Sequence, residues 1–222
     1  MRGVRAVVFD AYGTLFDVHS VTAACREVTA DPEALSLQWR AKQLEYTWLR
    51  ALMGRYEDFW AVTRAALRFA LQRVQVQASE AQVDRLMEAY LTLRPFPEVP
   101  DALRALRPRH TLAILSNGSP RMLQAAVESS GLQATLHHVL SVDELRTYKP
   151  NPLVYELAPR KLAIPKEAIA FVSSNAFDVI GAKAFGFPVC WCNRAGAPLD
   201  ELGFAPDVTV RRLDELPQAL GL

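Results

Sequence analysis

Val7-Val8-Phe9-Asp10-Ala11-Tyr12-Gly13-Thr14-Leu15-Phe16-Asp17 is the stretch that decides the fold of this chain. The apolar run from Val4 to Phe9 is too short for a core helix and rich in β-branched residues, so it predicts a buried parallel strand. The run stops at Asp10, and Gly13 marks the tight turn behind it. A carboxylate therefore stands where a central strand ends, the place where open α/β sheets put their chemistry. On this stretch alone, a turn or N-cap role accounts for the aspartate equally well.

Beyond Asp17 the pattern turns helical for about eighty residues. Asp31-Pro32-Glu33 reads as an N-cap, a first-turn proline and an acid near the positive end of the helix dipole. Leu37, Leu44, Trp48 and Leu52 predict the buried face of that helix. Tyr56, Phe59, Trp60, Thr63, Ala66, Leu67, Ala70 and Val74 repeat the period in a second. Ser79 and Gln82 form a capping box for a third, with Val83, Leu86, Met87, Tyr90 and Leu91 as its apolar face. From Asp101 onward helices and strands alternate, the mark of βαβ units. Strands are expected at 111–116, 137–142, 168–173, 188–193 and 207–210, and helices at about 119–130, 152–162 and 176–185. The whole reads as an α/β protein: a Rossmann-like parallel-sheet core (1–15 and 96–222) with an inserted helical cap (16–95). Asp10, Ser116-Asn117, Lys149 and the 173–178 segment then converge on the carboxyl edge of one sheet.

The 222 residues are enough for one ordinary domain and a smaller one. A net charge of +1, with no Lys/Arg cluster, argues against nucleic-acid and membrane-surface partners. No apolar stretch approaches the roughly 18 residues of a membrane span. A strand begins almost at once, so no signal segment is expected. Cys190 and Cys192 have neither zinc-knuckle nor Cys-x-x-Cys spacing, and His19, His110, His137 and His138 have no metal-ligand spacing either. A reducing, cytoplasmic setting is expected.

The motifs identify a family. Asp10-Ala11-Tyr12-Gly13-Thr14-Leu15-Phe16-Asp17, Gln43 through Arg50, Leu115-Ser116-Asn117-Gly118-Ser119-Pro120, Tyr148-Lys149-Pro150 and Phe171 through Asp178 together resemble the haloacid dehalogenase superfamily. The helix around Trp48 and Ser173-Ser174-Asn175-Ala176-Phe177-Asp178 point to its L-2-haloacid dehalogenase branch. From residue type alone Asp10 fits a nucleophile, a metal ligand or a general base. The resemblance implies covalent catalysis by Asp10, splitting a hard displacement into ester formation and ester hydrolysis.

Two departures argue against the rival reading, a magnesium-dependent small-molecule phosphatase. Superfamily phosphatases usually carry an acid two residues after the nucleophile, and here that residue is Tyr12. A departing halide needs no proton, whereas a departing alcohol does. Magnesium-dependent members also place paired acids after the fourth strand, where this chain keeps Asp178 alone. No cofactor is therefore expected.

Without a cation, anionic Asp10 must approach an anionic 2-haloacid, a repulsion of ~4 kcal/mol at about 4 Å and an effective dielectric of 20. Lys149 answers it, although a lysine in this setting would otherwise read as a solvated loop residue. Arg40 flanks the apolar stripe of its helix, and periodicity alone sends it to solvent. The resemblance gives it another place, a halide cradle with Asn117 and Phe177. It also implies that Ser116 binds the substrate carboxylate, and that Thr14, Ser173 and Asn175 support Asp10 and Lys149. Tyr12, Leu44 and Phe59 wall the pocket, Tyr155 and Ser174 lie behind it, and Asp178 activates the hydrolytic water. Trp48 reads as a core residue. Relatives carry glutamine and tryptophan where this chain has Ala41 and Phe177, both expected beside the halide. The resemblance further implies a homodimer through cap helices; nucleic acid and membrane are not expected partners.

Overall fold

The computed structural model describes residues 1 and 3–221. Its first strand, β1 (Ala6–Phe9), is buried along its whole length. A short 3-10 turn, Val18–Val21, leads into the helices α1 (Thr22–Cys25), α2 (Pro32–Met53), α3 (Phe59–Arg73) and α4 (Glu80–Ala89). The remainder alternates: α5 (Val99–Leu106), β2 (Thr111–Ser116), α6 (Pro120–Ser129), β3 (His138–Ser141), α7 (Pro152–Leu162), β4 (Ile169–Ser173), α8 (Ala176–Phe185), β5 (Val189–Cys192), β6 (Val208–Val210) and α9 (Leu216–Ala219). The strands form one sheet in the order β3-β2-β1-β4-β5-β6, and every pairing is parallel. The predicted strands are all present; Thr111–Ser116 matches residue for residue, and the others are trimmed by a residue or two where the ladder ends.

β1 lies in the middle of the sheet, between β2 and β4. The chain winds outward from β1 through β2 to β3, then returns to β4 on the other side. Asp10, the residue after β1, thus stands at the point where the winding reverses, and its N–H still donates to Val172 O at 2.9 Å. Gly13 adopts φ +90, the left-handed region the tight turn requires.

The helical stretch closes on itself. Trp39 Nε1 donates to Thr63 O at 2.8 Å and joins α2 to α3. The caps are as expected: Asp31 accepts from Ala34 N, and Ser79 and Gln82 make a reciprocal capping box. The buried face of α2 differs from the prediction. Leu35, Ser36, Trp39, Gln43 and Thr47 are buried, whereas Leu37 is 59% and Leu52 85% exposed. The stripe that packs contains polar residues whose bonds are made locally: Gln43 Nε2 donates to Thr63 Oγ1 and Thr47 Oγ1 to Leu44 O. Hydropathy periodicity therefore misplaced Leu37 and Leu52, at the two ends of the stripe, while Leu44 and Trp48 between them are half-buried.

The chain leaves the sheet for the helices and returns at a single place. Phe16 and Pro95 form an antiparallel bridge. Beside it Asp17 N donates to Arg94 O at 2.8 Å and Phe96 N to Leu15 O at 3.0 Å. Among the described residues no helix is long and apolar enough to cross a membrane.

Candidate active site

Asp10, Lys149 and Asp178 meet in the interior above the sheet, and all three are buried. Lys149 Nζ donates to Asp10 Oδ1 at 3.0 Å and to Asp178 Oδ2 at 2.9 Å, bridging the two carboxylates. Its ammonium also lies 5.0 Å from the centre of the Phe171 ring, a cation–π contact. Burial alone would lower the Lys149 pKa, but the charges of Asp10 and Asp178 prevail and hold it above the ordinary lysine value. Lys149 is thus a fixed cation, not a solvated loop residue.

The second oxygen of Asp10 is held from two sides. Thr14 Oγ1 donates to Oδ2 at 3.0 Å and Asn175 Nδ2 at 2.8 Å. Thr14 comes from the turn after β1, Asn175 from the N-cap of α8, and Ser174 N donates to Thr14 Oγ1 at 2.8 Å to join the two segments. Ser173 acts one bond further out, its Oγ accepting from Asn175 N at 3.1 Å. Asp178, in the first turn of α8, accepts from Tyr155 Oη at 2.8 Å. Burial raises the Asp178 pKa and Lys149 opposes that rise, leaving it at about 6. A Cβ on Gly181, one helical turn along, would come within 2.5 Å of Tyr155 Oη and 2.6 Å of Pro150 Cβ. Only glycine lets α8 lie this close to the tyrosine that orients Asp178.

Ser116 and Asn117 arrive at the end of β2. Ser116 Oγ accepts from Gly118 N at 3.1 Å, which leaves its hydroxyl proton to donate elsewhere. Asn117 Oδ1 accepts from Lys149 N at 3.0 Å, so this side chain fixes the lysine's main chain as well as reaching the site.

Arg40 does not go to solvent. It crosses from α2 to the sheet edge, where Nη2 donates to Tyr12 O at 3.1 Å and to Asn175 Oδ1 at 3.4 Å. Its Nη1 donates to Gln43 Oε1 at 2.7 Å, and Gln43 in turn donates to Thr63 Oγ1 at 2.7 Å. This buried Gln43–Thr63 support was not singled out from sequence. Neutral side chains at hydrophobic spacing gave no signal, although Gln43 opens one of the quoted motifs.

Apolar groups close the rest. Tyr12 packs on Phe59, ring centres 5.6 Å apart. Trp48 stands edge-on to Phe177 at 5.2 Å. The pair separates a cavity of about 530 Å³ that reaches Lys149 from one of about 550 Å³ that reaches Arg40, Leu44 and Asn175. Trp48 is therefore a wall of the site, which corrects its assignment to the core. Ala41 is exposed, so its methyl does not face the site as expected. Among the described residues, the buried side-chain polar atoms without a partner are Tyr12 Oη and Trp48 Nε1, both in residues of this cleft. A separate groove of about 580 Å³ along α6, β3 and α7 contains none of these groups.

One further cluster lay outside the sequence reading. Arg194, just beyond β5, donates from Nε and Nη2 to Glu98 Oε1, from Nη2 to Thr14 O at 3.0 Å and from Nη1 to Ser174 Oγ at 2.8 Å. Nothing in a lone arginine followed by Ala-Gly-Ala marks it in the sequence.

The donor set does not suit a magnesium ion. Mg²⁺ wants an octahedron of oxygens, and here both carboxylates are already bridged by an ammonium. Among the described residues no three His, Cys, Asp or Glu side chains gather as a metal site.

The chain is similar to known dehalogenases over nearly its whole length. Haloacetate dehalogenase H-2 of Moraxella sp. (strain B) is 50% identical over 218 residues, 97% of each chain. The (S)-2-haloacid dehalogenase of Pseudomonas sp. (strain YL) is 49% identical, covering 96% of this chain and 93% of that one. A crystal structure of the L-2-haloacid dehalogenase from Xanthobacter autotrophicus, with chloropropionic acid covalently bound, superposes with a TM-score of 0.91 at 42% identity over 97% of both chains. The family model for haloacid dehalogenase-like hydrolases matches residues 4–186, so by sequence and fold this chain belongs to that family.

Proposed function

We propose that this chain hydrolyses short (S)-2-haloalkanoic acids to (R)-2-hydroxyalkanoic acids and halide, through an ester on Asp10 and without a metal. One observation carries the reading: a buried carboxylate with three donors on it, paired to a lysine where metal-dependent chemistry would need oxygen ligands. Asp10 Oδ1, which receives only the Lys149 bond, is the freer oxygen for attack on C2. The attack breaks the carbon–halogen bond, and the halide leaves with the electron pair toward Arg40, with Phe177 and the Asn117 amide beside it. Lys149 offsets the repulsion between nucleophile and substrate, and stabilisation that grows with the halide's charge speeds the step. The Ser116 hydroxyl is placed to bind the substrate carboxylate, while Tyr12, Leu44, Phe59 and Trp48 enclose its alkyl end.

Water then attacks the carbonyl carbon of the Asp10 ester. Asp178, with a pKa of about 6, is ionised at neutral pH and shares the Lys149 ammonium with Asp10, which makes it the acceptor for the water's proton in this reading. The bond from the carbonyl carbon to the ester oxygen, formerly Asp10 Oδ1, breaks, and that oxygen is protonated and leaves as the hydroxyl of the hydroxy acid, while the water oxygen stays in the Asp10 carboxylate. C2 is inverted once, at the first step. Thr14, Ser173 and Asn175 hold the nucleophile, Tyr155 the base, and Ser174 the loop between them. Tyr12 cannot serve as a phosphatase-type acid: burial raises its pKa far above the ordinary tyrosine value.

We take residues 16–95 as the cap; the antiparallel bridge between Phe16 and Pro95 supports that division. A homodimer is proposed through the cap, where Leu37, Leu52 and Met53 expose apolar surface. A cytoplasmic setting fits three free cysteines.

The test is chloride release from each enantiomer of 2-chloropropionate with EDTA present, followed by a single turnover in ¹⁸O-water. Release from the (S) form alone is expected, with the label entering Asp10 and not the first product. Label in the first-turnover hydroxyl, or full turnover by Asp10→Ala, rejects the ester mechanism.

A further inference from the structure

We infer that Arg194, paired with Glu98, is a positioning residue for the nucleophile. The proposal rests on the dehalogenase reading only for its kinetic test. Its guanidinium is 3.8 Å from the centre of the Phe96 ring and stacked against it. From there it donates to three segments: to the carboxylate of Glu98 before α5, to Gly13 O at 3.5 Å and Thr14 O at 3.0 Å after β1, and to Ser174 Oγ at 2.8 Å after β4. It touches neither Asp10 nor Lys149.

What it joins are the two turns that aim Asp10. Thr14 and Asn175 supply both hydrogen bonds to Asp10 Oδ2, and each lies in a turn that Arg194 grips. The Thr14 hydroxyl donates to Asp10 and is held in that orientation by accepting from Ser174 N, a contact that requires the two turns to stay in register. Ser174 is gripped a second time, its carbonyl accepting from Trp191 Nε1 at 3.2 Å on β5. Arg194 thus clamps the main chain of one turn to the side chain of the other. A planar fork does this; a point charge does not. Glu98 is buried and holds the fork in plane by accepting from both Nε and Nη2, at 3.0 and 2.8 Å. Attack on C2 needs a carboxylate oxygen in line with the leaving halide, and an error of about 1 Å in such alignment costs about a hundredfold in rate.

The experiment compares the wild type with Arg194→Lys and with the double variant Arg194→Met/Glu98→Gln, which leaves no buried charge unpaired. Ester formed on Asp10 from (S)-2-chloropropionate is followed by quench-flow mass spectrometry, alongside thermal unfolding. Arg194→Lys should recover most of the stability, through its ion pair with Glu98, yet form ester about 30- to 100-fold more slowly. KM should change little, and when the comparison is repeated in an Asp178→Asn background, where the ester accumulates instead of being hydrolysed, the final fraction of esterified sites should equal that of the Asp178→Asn parent. Ester formation at the wild-type rate in Arg194→Lys overturns the inference. So does a rate loss matched by an equal loss of esterifiable sites, which is the signature of misfolding alone. If the wild type itself forms no ester, it is the dehalogenase reading that fails. The inference is then judged by crystallography of Arg194→Lys, where an unchanged Asp10 rotamer and Thr14–Asp10 bond would overturn it.

Discussion

Replacing Lys149 by methionine removes the charge at the centre of the site while keeping most of its volume. At 3.0 and 2.9 Å and an effective dielectric of 20, its attraction to each carboxylate is about 5–6 kcal/mol. Desolvation of the three buried ions, several kcal/mol apiece, consumes most of that, so the net worth of the cluster is small. Truncating one member differs from never having built the cluster, because Asp10 and Asp178 are then left facing each other. The expected loss is about 3–5 kcal/mol of stability at pH 8. The loss must depend on pH. In the wild type burial already raises Asp178 to about 6 against the opposing pull of Lys149; without that pull its folded-state pKa rises further. A carboxyl whose folded pKa lies above its unfolded value costs stability only when ionised. The cost is full above the raised value and fades as pH falls through it, because the folded state takes up a proton that the unfolded chain does not. Urea unfolding of wild type and Lys149→Met should therefore show a deficit at about pH 8 that shrinks markedly by about pH 5. An equal deficit at both would mean that lost packing, not charge, explains the variant, and would refute this account. Halide release should be undetectable at either pH.

Asp178→Asn should form the Asp10 ester but hydrolyse it at least a hundredfold more slowly, so that intact-mass spectra show the protein accumulating as its substrate adduct; rapid turnover without adduct would remove Asp178 from the second step. Turnover of the wild type should fall as pH drops through about 6, following protonation of Asp178, and a flat kcat from pH 5 to 8 would contradict that assignment. Gln43→Leu should leave the fold intact but loosen Arg40, lowering kcat for chloride release about tenfold or more; unchanged kinetics would show that the Gln43–Arg40 bond is dispensable.

The buried Asp10–Lys149–Asp178 cluster of the candidate site was legible because each member interrupts a local rule. Asp10 is a charge at the end of a buried strand, and Lys149 and Asp178 fall at the same edge once the alternation of strands and helices is read. The family resemblance then assigned roles that residue type alone left open. Arg40 shows where local reasoning stops. Its helical position beside the apolar stripe says solvent, and only the packing of α2 over the sheet turns that side toward Asn175. The same limit explains Leu37 and Leu52, since a buried stripe containing Gln43 and Thr47 looks polar until Thr63 is seen opposite. Ala41 was expected beside the halide because relatives carry glutamine there, yet on α2 it is turned by about 100° from Arg40 and is exposed. Arg194 and Glu98 are 96 residues apart and meet only in three dimensions.

The bridge between Phe16 and Pro95 carries a consequence for how such a protein diversifies. Because the outgoing and returning chains are already hydrogen-bonded to one another, the helices between them form a cassette with a single socket. A different insert could be grafted onto that socket without displacing the strand that carries Asp10 or the turns that aim it. On the proposed reading it would exchange Arg40, Leu44, Trp48 and Phe59 as a set, and with them one wall of the pocket, while Tyr12, Ser116, Asn117 and Phe177 would stay behind with the sheet. One side of the pocket could thereby change at a different rate from the side that carries Asp10.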